Sequence, residues 1–253
     1  MKCTTVLVLL LLPTLALAGS VQEIKKIGLS IQGIDVLVVR CGAGSLDLKG
    51  VKGCDKITVT AEIEVKDLQK EDLQKFIENN VRLNLGKKNN KALLISEVSK
   101  YSLNELEARI NLTIEVPPEL DVNISDGSGA IRVQNLVGNV KIDDDSGKIQ
   151  VENISGKVIV NDASGKIDIE DIRGSVMVRD GSGPILIDHI SGDVYVTDGS
   201  GDMTILHVDG NVTVSDDSGD IDISDVSKAV FISAAGSGEL NIERVRGKIT
   251  TRE

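Results

Sequence analysis

Residues 126–143 read DGSGAIRVQNLVGNVKID, and the next eighteen, 144–161, read DDSGKIQVENISGKVIVN. The same pattern continues without a gap to residue 233, so six units of eighteen residues follow one another. A seventh unit, 235–252, comes after a one-residue insertion and lacks the opening Asp. A fixed period of this kind is typical of an architecture in which each unit stacks on the next.

Each unit contains two short alternations of aliphatic and polar residues, which predict two short strands. The segments between them contain Gly, and Asp-x-Ser-Gly suits a type I turn with Asp capping backbone N–H groups. A lone pair of strands is marginal in water, so the units must stack to pair their backbones. The sequence therefore predicts an all-β fold, a parallel β-solenoid with 18-residue coils and two strands per coil.

The N-terminal half is less regular. Residues 44–60 repeat the strand, Gly, strand order and predict a divergent first coil. Within 67–80, Leu73, Phe76 and Ile77 share one helical face, which predicts an amphipathic helix. We expect 19–125 to form the first coil and an irregular strand-rich cap with one helix, and 126–253 to form the regular repeats of one continuous solenoid domain, 19–253.

The composition describes a folded, acidic protein. Hydrophobic residues make up 41% of the 253 residues and charged residues 26%. With no Trp, two Phe and two Tyr, the core must be aliphatic. The net charge of −11 argues against nucleic acid as a partner, because binding to phosphate backbones depends on clustered basic residues.

Residues 1–18 resemble a secretory signal peptide, with Lys2, an apolar run and a small-x-small cleavage site at 16–18. The run is shorter than the roughly 20 residues that span a bilayer, and we expect no transmembrane segment in the mature chain. We therefore expect an exported protein of the periplasm, the cell surface or the extracellular space. Cys41 and Cys54 then lie in an oxidising compartment and predict a disulfide; two buried thiols are the alternative.

An alternating run into proline at 110–117, followed by repeated Ser-Gly-x-Ile-x-Val, resembles the "putative adhesin" family of exported bacterial β-solenoid domains, a family of unknown function. The resemblance covers nearly the whole mature chain and implies the same solenoid fold and an adhesion-like role. It supplies no catalytic or binding residues to transfer. One departure is Lys228, which replaces the second Gly of the unit.

Two columns of side chains have the residue types of a metal site. The opening Asp residues recur every coil, about 4.8 Å apart, and oxygen ligands suit calcium; local turn capping is the stronger explanation. They are Asp126, Asp144, Asp162, Asp180, Asp198 and Asp216. His189 and His207 occupy one position in adjacent coils, between Asp171 and Asp225, which are ligand types for a transition metal. The alternative is a variable, solvated corner.

The outward position at the centre of the second sheet is unusually apolar. It holds Ile159, Met177, Tyr195 and Phe231, whereas the equivalent position on the first sheet is mostly polar. Contiguous apolar patches tend to mark interfaces, so these residues are the predicted interaction surface. β-Propensity on an exposed face and cover from the N-terminal segment are the alternatives.

Nothing in the motifs favours catalysis. Asp-x-Ser-Gly recurs in every regular coil, as corner residues do, and a nucleophile needs a base and an orienting group. No phosphate-binding loop is present, and we expect no cofactor. The sequence predicts a non-enzymatic exported interaction module, adhesin-like, that binds a protein or cell-envelope partner through a sheet face. A self-assembling structural scaffold of the cell envelope is the alternative.

Overall fold

A computed structural model describes residues 19–99 and 106–252. The predicted signal peptide, 1–18, lies outside the described residues. The chain divides into two compact units, Met1–Ala130 and Ile131–Glu253. The fold is the predicted all-β parallel solenoid of 18-residue coils, with one α-helix in the irregular N-terminal part.

The first unit contains eight strands and helix α1. They are β1 (Ser20–Ser30), β2 (Val36–Cys41), β3 (Leu46–Gly50), β4 (Lys56–Lys66), α1 (Leu73–Asn80), β5 (Val81–Lys88), β6 (Lys91–Val98), β7 (Ala108–Val116) and β8 (Asp121–Asp126). One sheet has the order β1-β4-β7-β3 and the other β8-β2-β6-β5.

The pairing within the first unit differs from the expected divergent coil at 44–60. β3 pairs with β7 in parallel, but β4 pairs with β7 antiparallel. Both strands therefore belong to one sheet, whereas a coil places one strand in each sheet. The coil geometry belongs instead to β2 and β3, because β2 pairs in parallel with β6 and β8 in the other sheet.

Helix α1 has the predicted apolar face. Leu73, Phe76 and Ile77 are all buried, and the helix contacts β1 and β5. A single face of two helical turns is enough to bury three large side chains.

The predicted disulfide is absent. Cys54 Sγ donates to the carbonyl of Lys56 at 2.9 Å, and Cys41 Sγ lies 3.8 Å from the carbonyl oxygen of Ser125. Both cysteines are among the described residues, and no S–S bond joins them. The reason is geometric: β3 runs between the two corners, and five extended residues span about 13 Å, well beyond the ~7 Å limit between the Cα atoms of a disulfide.

The second unit contains only short strands. They are β9 (Ile131–Leu136), β10 (Val140–Asp144), β11 (Ile149–Ile154), β12 (Val158–Asp162), β13 (Ile167–Ile172), β14 (Val176–Asp180), β15 (Ile185–Ile190), β16 (Val194–Asp198), β17 (Met203–Val208), β18 (Val212–Ser218), β19 (Ile221–Val226), β20 (Val230–Ser237), β21 (Leu240–Val245) and β22 (Ile249–Thr251). Odd-numbered strands form one parallel sheet and even-numbered strands the other.

Pairing in the second unit keeps a register of eighteen residues. Ile149 pairs with Ile167 and Val158 with Val176, as the repeat predicts. The inward columns are almost completely buried, and so is the third column at the corner, which includes Ile154 and Ile172. The one-residue insertion appears as a register shift between β18 and β20. Leu240 and Ile249, in the last coil, are 37% and 45% exposed.

The two corners of each coil have different backbone requirements. Gly165 has φ +143°, and a Cβ there would lie 1.7 Å from the carbonyl oxygen of Gly147. Glycine is therefore required by both conformation and space. The second corner tolerates Lys228, where Ser227 N still donates to Val208 O at 2.8 Å, as in the preceding coil.

Candidate functional site

The predicted interaction surface forms one continuous column on the second unit. Ile159 pairs with Met177, Met177 with Tyr195, Tyr195 with Thr213, and Thr213 with Phe231. We call these five residues the apolar column. Tyr195 is 41% exposed, and the other four are partly exposed. Arg252 lies over the Phe231 ring, 5.1 Å from its centroid, a cation–π arrangement that holds this ring in place.

The surroundings of the apolar column are nearly uncharged. Its neighbouring outward positions hold Asn161, Arg179, Thr197 and Ser215, of which only Arg179 is charged. The corresponding outward positions of the first sheet include four acids, Glu152, Glu170, Asp188 and Glu243. The preceding coil adds Lys141 and Asp143, which pair with Ile159 and Asn161 in the register and form an ion pair with each other at 2.6 Å. In a chain of net charge −11, the second sheet thus carries fewer carboxylates beside its outward column than the first sheet does.

The recurrent Asp residues point inward. Their relative exposures are 7% for Asp162, 8% for Asp180, 2% for Asp198 and 0% for Asp216. The predicted turn capping is present: Asp162, Asp198 and Asp216 each accept a hydrogen bond at 3.3–3.4 Å from the backbone N–H two residues on. The second carboxylate oxygen of these three accepts no hydrogen bond from the described residues. We call the six recurrent aspartates the Asp ladder.

Burial changes the acidity of the Asp ladder. Desolvation raises the pKa of Asp198 to about 6, and the neighbouring charges of Asp216 and Asp217 add to the effect. Desolvation, with the charges of Asp198 and Asp162, raises the pKa of Asp180 to about 6. The pKa values of Asp162 and Asp216 are also raised by burial. A buried carboxylate without a cation or a full set of donors favours its neutral form.

The two histidines meet at one corner of the second unit. Their rings stack with centroids 4.6 Å apart and planes at 23°. Asp225 Oδ2 lies 3.9 Å from His207 Nε2, and Asp171 lines the same concavity of about 520 Å³ as both histidines. The four predicted residues therefore share one surface. The nearest carboxylate is a different one, Asp188, whose Oδ1 lies 3.0 Å from His189 Nδ1 and 2.7 Å from His207 Nδ1.

The sequence pattern does not group Asp188 with the two histidines, because Asp188 occupies a different position of the repeat. It precedes His189 directly, so no 18-residue spacing connects it to the histidine column. Its strand, β15, sends it outward beside the corner, and stacking of the coils brings His207 to the same oxygen. Adjacency to one histidine was the only signal available in the sequence.

The backbone explains which residues this corner accepts. Seven residues at one position of the repeat have φ between +49° and +59°; they are Asn135, Asn153, Asp171, His189, His207, Asp225 and Arg244. We call them the left-handed column. Asn, Asp and His are the non-glycine residues enriched in this conformation. Arg244 is the exception, and its Nε and Nη2 donate to the two carboxylate oxygens of Asp225 at 2.8 and 2.9 Å.

The recurrent serines serve the corners. Ser164 Oγ donates to the carbonyl of Asp145 and Ser182 Oγ to that of Ala163, both at 3.5 Å and both one coil back. A hydroxyl used in this way ties neighbouring coils together.

None of the helices in the described part of the chain is both long and apolar enough to span a bilayer.

A family model described as Toastrack DUF4097 matches residues 44–251. A comparison with the curated proteins finds no match.

Several solved structures are similar to this chain. A "putative cell adhesion protein" from Clostridium sporogenes is 12% identical, with 88% of this chain and 99% of that chain covered and a TM-score of 0.38. A "putative adhesin" from Bacteroides fragilis is 12% identical, with 90% and 97% covered and a TM-score of 0.40. A "putative lipid binding protein" from Parabacteroides distasonis is 14% identical, with 92% and 97% covered and a TM-score of 0.45.

Proposed function

This chain belongs to the Toastrack DUF4097 family, and on that premise we propose that it is a non-enzymatic, adhesin-like interaction module. It is exported to the periplasm or the cell surface, where the apolar column binds a protein or another component of the cell envelope. The partner presents an apolar, uncharged surface, because that is what complements the second sheet. The observation that carries this proposal is the register that places Met177, Tyr195 and Phe231 on one face.

The apolar column has the properties of a contact surface. The parallel ladders fix the backbone of the second sheet, so the positions from which its outward side chains project are set before a partner arrives. Preorganisation reduces the entropy lost on binding. Tyr is enriched at the centres of interfaces, where its ring buries apolar area and its hydroxyl keeps a hydrogen-bond partner.

Photocrosslinking tests the proposal directly. Benzoylphenylalanine at position 195 should give discrete adducts with an envelope component, whereas the same group at Thr204, on the first sheet, should give none. Tyr195→Lys together with Phe231→Lys should abolish capture of the adducted partner. Leu186→Lys is the matched control. Leu186 is also an outward apolar residue, but it lies on the first sheet, where the equivalent outward position is mostly polar. Equal adducts from both positions, or unchanged capture by the folded double variant, would refute the assignment.

A second function is favoured by one observation. β21 and β22 are the last strands of the two sheets in the second unit, and Leu240 and Ile249 on them are exposed. Strand edges of this kind pair readily with another chain, as a self-assembling envelope scaffold requires. Opposing it are the positive charges of Arg244, Arg246, Lys248 and Arg252 in the same coil, which repel a second copy.

Light scattering separates the two functions. If the scaffold function holds, mass grows with protein concentration in the wild type and stays constant in Leu240→Asp. A constant monomer mass across the concentration range would exclude end-to-end assembly and leave heterologous binding through the apolar column.

A further inference from the structure

Three ligand atoms converge at the histidine corner of the second unit. Asp188 Oδ1 lies within 3.0 Å of Nδ1 of His189 and of Nδ1 of His207, and the three groups each place a ligand atom within 4.8 Å of the others. We propose that Asp188, His189 and His207 bind a divalent transition-metal ion of the zinc, nickel and copper group. This site is separate from the apolar column and does not depend on it.

The ligand set suits these metals. Two imidazole nitrogens and one carboxylate oxygen are the donors found in sites that keep one position open. Tetrahedral coordination at a metal–ligand distance near 2.05 Å places neighbouring ligand atoms about 3.3 Å apart. The observed 2.7 and 3.0 Å between Asp188 Oδ1 and the two Nδ1 atoms must lengthen by a few tenths of an ångström, and the nitrogens of the two imidazoles, which lie within 4.8 Å of each other, must settle at the same separation. The imidazoles are free to move in this way, because 54% and 50% of their side-chain surface is exposed.

The surroundings favour a cation. Asp171, Asp209 and Asp225 line the concavity beside the two rings; Arg173 is the positive residue of the lining, and Arg244 pairs with Asp225. Such an excess of carboxylates attracts cations to the cleft. Asp225 is engaged by Arg244 through both of its oxygens and so lies outside the ligand set. Its Oδ2 lies 3.9 Å from Nε2 of His207, beyond hydrogen-bond distance, so Asp225 contributes to the site only through its charge.

The fold does not itself require histidine at these positions. Asn135 and Asn153 occupy the left-handed column with φ +59° and +55°, so Asn satisfies the same backbone. The two histidines of the chain are nevertheless in consecutive coils, beside the one outward Asp of β15. The left-handed backbone directs both rings toward the concavity, and the coil spacing of about 4.8 Å lets them share one oxygen.

The experiment is metal titration of the purified, EDTA-treated protein. Calorimetry should show one Zn²⁺ site that the histidine variants lose, and Co²⁺ should give the intense visible absorption of tetrahedral coordination. His189→Asn, His207→Asn and Asp188→Asn should each abolish the absorption and weaken Zn²⁺ binding by at least about 100-fold, since each removes one of three protein ligands. Asn is already native to this column, so circular dichroism should show unchanged folding for the histidine variants.

Asp209→Asn is the matched control, since it removes one negative charge from the same concavity without touching the convergent atoms. Its effect on Zn²⁺ affinity should stay below about threefold, the size of a screened charge effect. Cys41 and Cys54 are present in every variant, so any zinc that their thiols bind is the same throughout. The difference in bound zinc between wild type and variant therefore measures the histidine corner alone. Failure of the wild type to bind Zn²⁺, or equal losses in Asp209→Asn and His207→Asn, would overturn the proposal.

Discussion

Replacing Asp198 with asparagine should stabilise the protein at neutral pH and leave its stability almost unchanged in acid. Asp198 is 2% exposed, and its Oδ1 accepts from Ser200 N at 3.4 Å. Asn keeps that acceptor and the shape of the side chain. It replaces the second oxygen, which accepts no hydrogen bond from the described residues, with a neutral NH₂ group, and so removes one charge between Asp180 and Asp216, its register partners in the adjacent coils.

The magnitude follows from the shifted pKa. Burial raises the pKa of Asp198 from 3.8 to about 6, and each unit corresponds to about 1.36 kcal/mol, so the shift is worth about 3 kcal/mol. Below about pH 3, well under the ordinary pKa of 3.8, the carboxyl is protonated in both the folded and the unfolded chain, and its contribution to stability is fully present. As the pH rises from 3.8 through 6, the unfolded chain releases its proton before the folded chain does, and that contribution is lost. Asn titrates in neither state.

Urea unfolding followed by circular dichroism at pH 3, 5, 6 and 7 measures the effect. The difference in unfolding free energy between Asp198→Asn and the wild type should be near zero at pH 3 and grow to about 2–3 kcal/mol in favour of the variant at pH 7. Asp47→Asn removes the same charge from an exposed position and should change stability by less than about 0.5 kcal/mol. Parallel pH profiles for Asp198→Asn and wild type would refute the reasoning, because they would mean that the buried carboxyl titrates as it does in the unfolded chain.

Two further substitutions test the corners. Gly165→Ala should lower the unfolding free energy by about 3 kcal/mol or more, because the new Cβ meets the backbone of Gly147 at a φ that disfavours side chains; an unchanged urea midpoint would contradict this. Asn153→Val should cost about 1–2 kcal/mol from left-handed strain, plus the hydrogen bond that Asn153 Nδ2 donates to Asn135 Oδ1. Asn153→Asp loses the same donor but keeps a residue type that tolerates this φ, so its cost should be smaller by about 1 kcal/mol or more; equal costs for Val and Asp would show that φ is not the determinant.

Much of the second unit could be read directly from the repeat. The period of eighteen, the inward columns and the outward position of Met177, Tyr195 and Phe231 all follow from strand alternation, because successive side chains point to opposite faces of a sheet. The helical face of Leu73, Phe76 and Ile77 follows from a local period in the same way. These features depend only on residues close in sequence or one repeat apart.

The strand pairing of the first unit could not be predicted from local sequence patterns. Residues 44–60 have the pattern of a coil, yet β4 turns back to pair antiparallel with β7. Pairing between strands so far apart in sequence depends on which sheet edge is free to accept another strand. The alternation of apolar and polar residues does not encode that choice. The same path separates Cys41 from Cys54, although their spacing in the sequence is short.

The sequence by itself determined the coil, its register and the faces of its strands, because backbone geometry makes side-chain direction a local property. Only the tertiary structure decided the environment of the corner residues. The Asp ladder follows the inward columns and is buried, which raises the pKa values of Asp162, Asp180, Asp198 and Asp216, although the motif alone describes an ordinary solvated turn. Asp188 joins His207 because stacking, not spacing, brings residues of adjacent coils within 3 Å. Solvation and proximity across coils are properties of the packed solenoid, and they are what give these corners their chemistry.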